Sequence, residues 1–235
     1  MVTKRLDTLL VEKGLVASRE RAQARILAGD VLVNGQPISK SGTRVSLEAE
    51  VVLRGDDLPY VSRGGLKLEK AIKSFKLDLS DKVILDVGSS TGGFTDCALQ
   101  HKAKKVYAVD VGYGQLAWPL RQDPRVTVLE RTNIRYLDKS RLIPPPDLAC
   151  IDVSFISLEK VIPPVVDALT GNKELVALIK PQFEVGRGKV GKGGIVRDPF
   201  LHEEVLSRIV SVVSQYLTCA ALDYSPITGA KGNIE

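Results

Sequence analysis

The chain is predicted to be α/β, with a doubly wound domain on a parallel sheet preceded by a small α+β domain; three observations lead there. From Lys82 onward, short apolar runs alternate with amphipathic stretches, the pattern of parallel strands with helices on both faces. Before residue 54 the periodicity differs, with two helical repeats followed by alternating apolar residues around turns. Between the two patterns, Arg54-Gly55-Asp56-Asp57-Leu58-Pro59 has the composition of a linker. The expected divisions are therefore 1–53, a linker over 54–62, and 63–235.

In the small domain, Leu6, Leu9, Leu10 and Lys13 keep helical spacing and Gly14 stands where a helix would stop. Ser18 is placed to cap a second helix, Arg19 to Ala28, closed by Gly29. Val31, Val33 and Ile38 alternate around Asn34-Gly35, a two-residue hairpin signal. A further strand pair is expected at Thr43–Val45 and Glu50–Leu53. In the large domain the helix near Leu66–Phe75 leads into strands at Val83–Val87, Lys105–Val109, Val126–Leu129, Leu148–Asp152, Leu175–Ile179 and Thr218–Leu222. Helices are expected near Gly93–Gln100, Leu158–Leu169 and Pro199–Tyr216. Ligands of such sheets bind at the carboxyl ends of the strands.

Composition narrows the class further. With 235 residues, 44% hydrophobic and 26% charged, the chain has the balance of a globular protein, and no apolar run approaches a membrane span. The start lacks a secretory apolar stretch, which places the protein as soluble and cytoplasmic. Cys97, Cys150 and Cys219 match neither a disulfide framework nor a zinc spacing, so they are read as buried thiols and no metal is expected. The net charge is +5, and residues 1–45 hold eight basic against four acidic residues, a local surplus of +4. Arg21 and Arg25 lie four apart on one helix face, where they could meet successive phosphates; a solvated helix surface is the alternative.

Asp86-Val87-Gly88-Ser89-Ser90-Thr91-Gly92-Gly93-Phe94 joins the first strand of the sheet to a helix. Glycines let the backbone approach a ligand, and a helix start offers free N–H groups. The loop lacks the dinucleotide G-x-G-x-x-G spacing, and the acidic residue before it suits a cationic ligand end better than a pyrophosphate. Asp110 closes the next strand, where a carboxylate can accept from both ribose hydroxyls. Together these features read as an S-adenosylmethionine site. Asn133, after the third strand, either borders the adenine or is a plain loop residue.

Asp152 and Lys180 each follow a buried apolar strand and so point into the cleft mouth. Asp152-Val153-Ser154-Phe155 has none of the prolines usual in base-amino methylation, and Cys150 lies inside its strand, away from the place a cytosine C5 nucleophile would need. A ribose hydroxyl needs a base, and a lysine beside other cations can serve.

Two resemblances extend this reading. Arg5-Leu6-Asp7, Ala17-Ser18-Arg19, Ile26-Leu27-Ala28-Gly29-Asp30-Val31 and Val33-Asn34-Gly35 resemble the alpha-L RNA-binding module of a small-subunit ribosomal protein. That likeness implies structured RNA as the partner, with Lys4, Arg5, Arg19, Arg21, Arg25 and Lys40 as contacts. Lys67, Asp152, Lys180 and Glu235 match in order and context the tetrad of FtsJ-type ribose 2′-O-methyltransferases, a Rossmann-like fold. Ser62-Arg63-Gly64-Gly65-Leu66-Lys67, Asp110-Val111-Gly112-Tyr113-Gly114-Gln115-Leu116, Ser154-Phe155-Ile156-Ser157 and Lys180-Pro181-Gln182-Phe183-Glu184 resemble the TlyA family, often labelled haemolysins.

Membership would imply S-adenosylmethionine as cofactor and cytidine 2′-O-methylation of ribosomal RNA in the ribosomal subunits. By that resemblance Lys180 is the base, Lys67 lowers its pKa and holds the acceptor ribose, Asp152 anchors the lysines and also borders the cofactor, and Glu235 positions the group. Lys70, Lys73 and Glu184 would be decoys. The family continues into a final strand beyond the position of Glu235, so the domain is expected to lack its last strand.

The segment 185–194 has five glycines and three cations and is read as a mobile loop, with Arg187, Lys189 and Lys192 as RNA contacts. A non-catalytic ribosome-assembly factor on the same fold is the alternative. A pore-former is disfavoured by the absence of a signal and of insertion segments.

Overall fold

A computed structural model describes the chain apart from residues 1, 17, 28, 55–57, 187, 230 and 231. Ala17, Ala28, the Gly55-Asp56-Asp57 part of the expected linker and Arg187 thus lie outside the described residues. The chain separates into two compact units, Met1–Ser62 and Arg63–Glu235.

The small unit runs β1 (Thr3–Arg5), α1 (Leu6–Glu12), α2 (Arg19–Leu27), β2 (Val31–Val33), β3 (Gln36–Pro37), β4 (Arg44–Ser46) and β5 (Val51–Leu53). Its core includes Leu6, Leu9 and Leu10 on one face of α1, Ala22 and Ile26 on one face of α2, and Val31 of β2. The Ser18 hydroxyl accepts from Arg21 N at 3.2 Å, as an N-cap should. Asn34 and Gly35 both take positive φ, 49° and 78°, which the two-residue turn between β2 and β3 requires. The expected pairing of the last two strands is not formed: β4 pairs with β1, and β5 pairs with β2 in the register Val31↔Leu53. Asn34 directs β5 there, because its side chain accepts from Glu50 N at 3.0 Å while its own N–H donates to Glu50 O at 2.8 Å.

The large unit holds α3 (Gly64–Phe75), β6 (Val83–Val87), α4 (Gly93–Gln100), β7 (Lys105–Val109), α5 (Trp118–Gln122), β8 (Val126–Leu129), β9 (Leu148–Ile151), α6 (Ile162–Ala168), β10 (Glu174–Ala177), α7 (Pro181–Glu184) and α8 (Pro199–Val213). Among the described residues its strands make one parallel sheet in the order β10-β9-β6-β7-β8. Every residue of β6 and β9 is buried, as a sheet covered on both faces demands. One face packs Leu85, Tyr107, Ala149 and Ile151 against Ile162 and Val165 of α6 and Val205 and Ile209 of α8. The strand order reverses at β6, whose neighbours β7 and β9 lead away in opposite directions, so a crevice opens at the carboxyl ends of β6 and β9.

The strand expected at Thr218–Leu222 does not form; that stretch is unpaired and exposed along its length. Cys219 within it is therefore exposed, whereas Cys97 and Cys150 are the buried thiols expected. An extended apolar stretch becomes a strand only where a neighbour offers its N–H and C=O groups, and no described strand does so here.

Candidate active site

The crevice holds a cavity of about 470 Å³ lined by Gly88, Ser90, Asp110, Asn133 and Asp152 among others, within the range of small-molecule sites. Gly88 has φ +87°, and a Cβ there would lie 2.6 Å from the carbonyl oxygen of Asp152, so only glycine lets the first loop meet the end of β9. The Asp110 carboxylate accepts from Ser90 N at 2.8 Å and Gly112 N at 2.7 Å, which fixes it at the rim with lone pairs still available. Asn133 caps the short 3-10 turn Ile134–Tyr136 through its side-chain oxygen.

The remaining loop positions do other work. Gly92, at φ +100°, makes room for Leu116 and Leu120, since a Cβ there would lie 2.3 Å from Leu120 Cδ1. Thr91 gives its carbonyl to Ala117 N, Ser89 is buried and Gly93 begins α4. Phe94 sits outside the cavity, lining a narrow slot with Leu68 and Phe75 of α3. Asp86 is 1% exposed; one oxygen accepts from Thr95 Oγ1 at 2.5 Å, and the other is buried without a hydrogen-bond partner. Burial pushes its carboxyl up to about 7, against the Thr95 hydrogen bond, with the Asp152 and Asp110 carboxylates adding to the rise. An orphaned acidic acceptor directly behind the glycine loop, together with a rim carboxylate, fits a nucleoside carrying a cationic tail.

At the mouth, four charges of alternating sign form a line. Lys180 Nζ lies 2.5 Å from Asp152 Oδ1, Asp152 Oδ2 lies 3.9 Å from Lys67 Nζ, and Lys67 Nζ lies 2.6 Å from Glu235 Oε2. Their side chains are 2–18% exposed, and near-complete burial is tolerable because the two positive and two negative charges cancel. Lys67 sits in the first turn of α3, Asp152 and Lys180 follow strands, and Glu235 comes from the end of the chain.

The other lysines of α3 are spent elsewhere. Lys70 pairs with Asp223 at 3.1 Å and lies over the Tyr224 ring, and Lys73 pairs with Glu69. Glu184 accepts from Ser157 Oγ and Leu158 N, pinning the loop after β9 rather than joining the four charges.

Several supporting residues escaped the sequence reading. Ser154 Oγ accepts from Lys180 at 3.0 Å, and Gln182 Nε2 donates to Glu235 Oε1 at 3.3 Å. Gly229 abuts the Glu235 carboxylate, 1.9 Å from where its Cβ would stand. Asn233 is buried and ties the glycine-rich loop, donating to Gly194 O at 2.9 Å and accepting from Val196 N at 3.1 Å. Phe155 holds φ +63° and is 89% exposed, with its ring 4.8 Å from Phe183. Ser154, Phe155 and Gln182 stood inside motifs already singled out, so position beside Asp152 and Lys180 was the available signal.

In the small unit, Arg5 and Arg19 stay about half exposed beside Asp7, Lys4 pairs with Glu12 at 2.7 Å, Arg21 is half-buried and Lys40 is exposed. Arg25 does not share the open face expected of it. It falls between Ala22 and Ile26 on the buried stripe of α2, is 3% exposed and donates to Arg54 O at 2.6 Å. Lys192 is exposed, and Lys189 pairs with Glu204 at 2.8 Å.

Residues 60–235 match the FtsJ-like methyltransferase family, and residues 4–51 match the S4 domain. A candidate rRNA methyltransferase of Bacillus subtilis is 53% identical over 234 residues, 99% of this chain and 83% of that one. The 16S/23S rRNA (cytidine-2′-O)-methyltransferase TlyA of Mycobacterium tuberculosis is 43% identical over 233 residues, 98% and 87% of the two chains. A candidate hemolysin of Streptococcus thermophilus superposes with a TM-score of 0.77 at 46% identity, covering 100% of this chain and 86% of that one. Among the described residues no helix is long and apolar enough to cross a membrane, and no group of His, Cys, Asp and Glu side chains could hold a metal ion.

Proposed function

This chain belongs to the FtsJ-like methyltransferase family, and from that premise we propose that it methylates the 2′-hydroxyl of cytidine in ribosomal RNA, using S-adenosylmethionine. The observation that carries the reading is the line Lys180–Asp152–Lys67–Glu235 at the mouth of the cavity. When bound, S-adenosylmethionine supplies an electrophilic methyl on its sulfonium. Asp110 would hold the ribose diol, and the unpartnered buried oxygen of Asp86, behind the loop, would attract the ammonium of the methionine portion.

Lys67 orients the acceptor ribose in line with the methyl, held in place by Glu235. Lys180, once it has given up its own proton to solvent, would take the hydroxyl proton as the C–O bond forms and the methyl–sulfonium bond breaks, and Asp152 would stabilise the ammonium that results. Phe155, exposed beside them, gives the acceptor base a face to stack on. The S4 domain supplies the grip on structured RNA.

The test is transfer of a tritiated methyl group to ribosomal subunits from a strain lacking the gene, compared with Lys180→Ala. Incorporation at cytidine 2′-oxygens by the wild type, and none by the variant, is expected. Binding to subunits without any incorporation by the wild type would instead favour a non-catalytic assembly factor.

A further inference from the structure

The small unit contains a buried carboxylate for which the catalytic reading has no use. Asp7, in the first turn of α1, has no exposed side-chain surface, yet donors from four residues converge on it. Arg5 grips it with two N–H groups, Nε to Oδ1 at 3.0 Å and Nη2 to Oδ2 at 2.8 Å. Arg19, from α2, brings Nε to the same Oδ2 at 3.1 Å, Gln23 adds Nε2 at 3.2 Å, and Thr8 N closes on Oδ1 at 2.9 Å. These donors hold the Asp7 carboxyl well below the usual carboxylate range, the Arg5 hydrogen bond contributing most.

The two arginines are not consumed by this pairing. Their side chains remain 44% and 52% exposed, and among the described residues no acceptor takes the terminal Nη groups of Arg19. They stand fourteen positions apart in the chain, yet both donate to one carboxylate oxygen, so the two guanidinium groups are neighbours. Gly42 leaves space for this, since a Cβ there would stand 3.3 Å from Arg5 Nη1. A guanidinium with one edge pinned and the other in solvent loses little entropy on binding an anion, and its remaining edge matches two phosphate oxygens.

We propose that Asp7 is a positioning residue for RNA: it holds Arg5 and Arg19 as a preformed fork for the phosphodiester backbone. The inference rests on the RNA reading of the small unit and deepens it by naming which cations are preorganised and by what.

Simple electrostatics predicts the opposite sign, and that makes the test sharp. Asp7→Asn adds one positive charge, so an attraction governed by net charge alone would tighten binding and steepen its salt dependence. A lost fork would weaken binding instead. The probe is ribosomal RNA transcribed in vitro, titrated with the full-length chain at several salt concentrations.

Asp7→Asn is expected to bind about tenfold more weakly. Its slope of log K against log salt should be shallower by about 1 to 2, as one or two phosphate contacts go. Arg5→Lys and Arg19→Lys keep the net charge but cannot form the fork, and each should lose several-fold in affinity. These two variants decide the matter if circular dichroism shows Asp7→Asn to be unfolded. Equal or tighter binding by folded Asp7→Asn, or wild-type affinity in both lysine variants, overturns the inference while leaving RNA binding intact. Failure of the wild-type chain to bind the probe removes the RNA reading and the inference with it.

Discussion

Two aspartates, Asp7 in the small unit and Asp86 in the large one, are equally hidden from solvent, and their carboxyl groups shift in opposite directions. Asp7 receives two arginines, an amide side chain and a backbone N–H, and stays ionised far into acid. Asp86 receives one hydroxyl, faces the carboxylates Asp152 and Asp110, and is pushed up to about 7. Asp86 lies deep in the sheet, where desolvation is the largest push, whereas Asp7 lies beneath half-exposed arginines whose hydrogen bonds outweigh its desolvation, so depth and donors together decide the charge. The first is completed by the fold and acts on its own neighbours. The second is left with a buried oxygen that has no hydrogen-bond partner.

The largest test of this contrast lies at the mouth of the cavity. Lys180→Met should reduce methyl transfer by about 10²- to 10⁴-fold with the cofactor still bound, measured by single-turnover transfer beside calorimetric titration. Retained transfer would remove Lys180 as the base.

Next comes Asp86→Asn, where binding and stability should move in opposite directions. Loss of a charged acceptor weakens S-adenosylmethionine by about ten- to a hundredfold. In the absence of ligand, a carboxyl raised to about 7 makes the wild type progressively less stable as pH rises from the unfolded value near 4 through 7. The variant should therefore unfold at higher temperature than wild type at pH 8, with the gap closing near pH 4. Wild-type affinity for the cofactor should climb across the same interval, because the proton must leave Asp86. A pH-independent affinity would show that Asp86 stays out of the ligand's reach.

Gly229→Ala is a milder probe. A Cβ 1.9 Å from Glu235 Oε1 must push that carboxylate off Lys67, and about tenfold in transfer rate should go without loss of cofactor affinity. Smallest of all is Lys189→Gln. Its pairing with Glu204 is about half exposed, so denaturant unfolding should change by less than about 0.5 kcal/mol.

Much of this was legible in the order of residues. Strands β6 to β9 stand where the apolar runs put them, and the central β6, β7 and β9 are buried nearly throughout, which leaves a largely apolar signature. The Asn34-Gly35 turn was equally plain, since few dipeptides accept two positive φ angles. Thr218–Leu222 was not, because its composition suits a strand but pairing needs a neighbour. Arg25 misled for a related reason: charge suggested the surface, while its place between Ala22 and Ile26 put it on the core stripe. Gly229 and Asn233 carried no local signal, since their importance lies in what stands opposite them.

The sequence by itself determined the class of the fold, the two-part organisation of the chain and the glycine loop. Each depends on spacing or on backbone preference within a few residues, which the order of side chains encodes directly. Tertiary structure alone decided which lysine of α3 reaches Asp152, which glycines serve the cavity and which serve packing, and why two buried aspartates differ in charge. Those outcomes depend on groups brought within a few ångströms from distant parts of the chain, as Lys67 and Glu235 are across 168 positions. Electrostatic interaction falls with distance in space and is indifferent to separation along the chain, so only the folded arrangement could settle them.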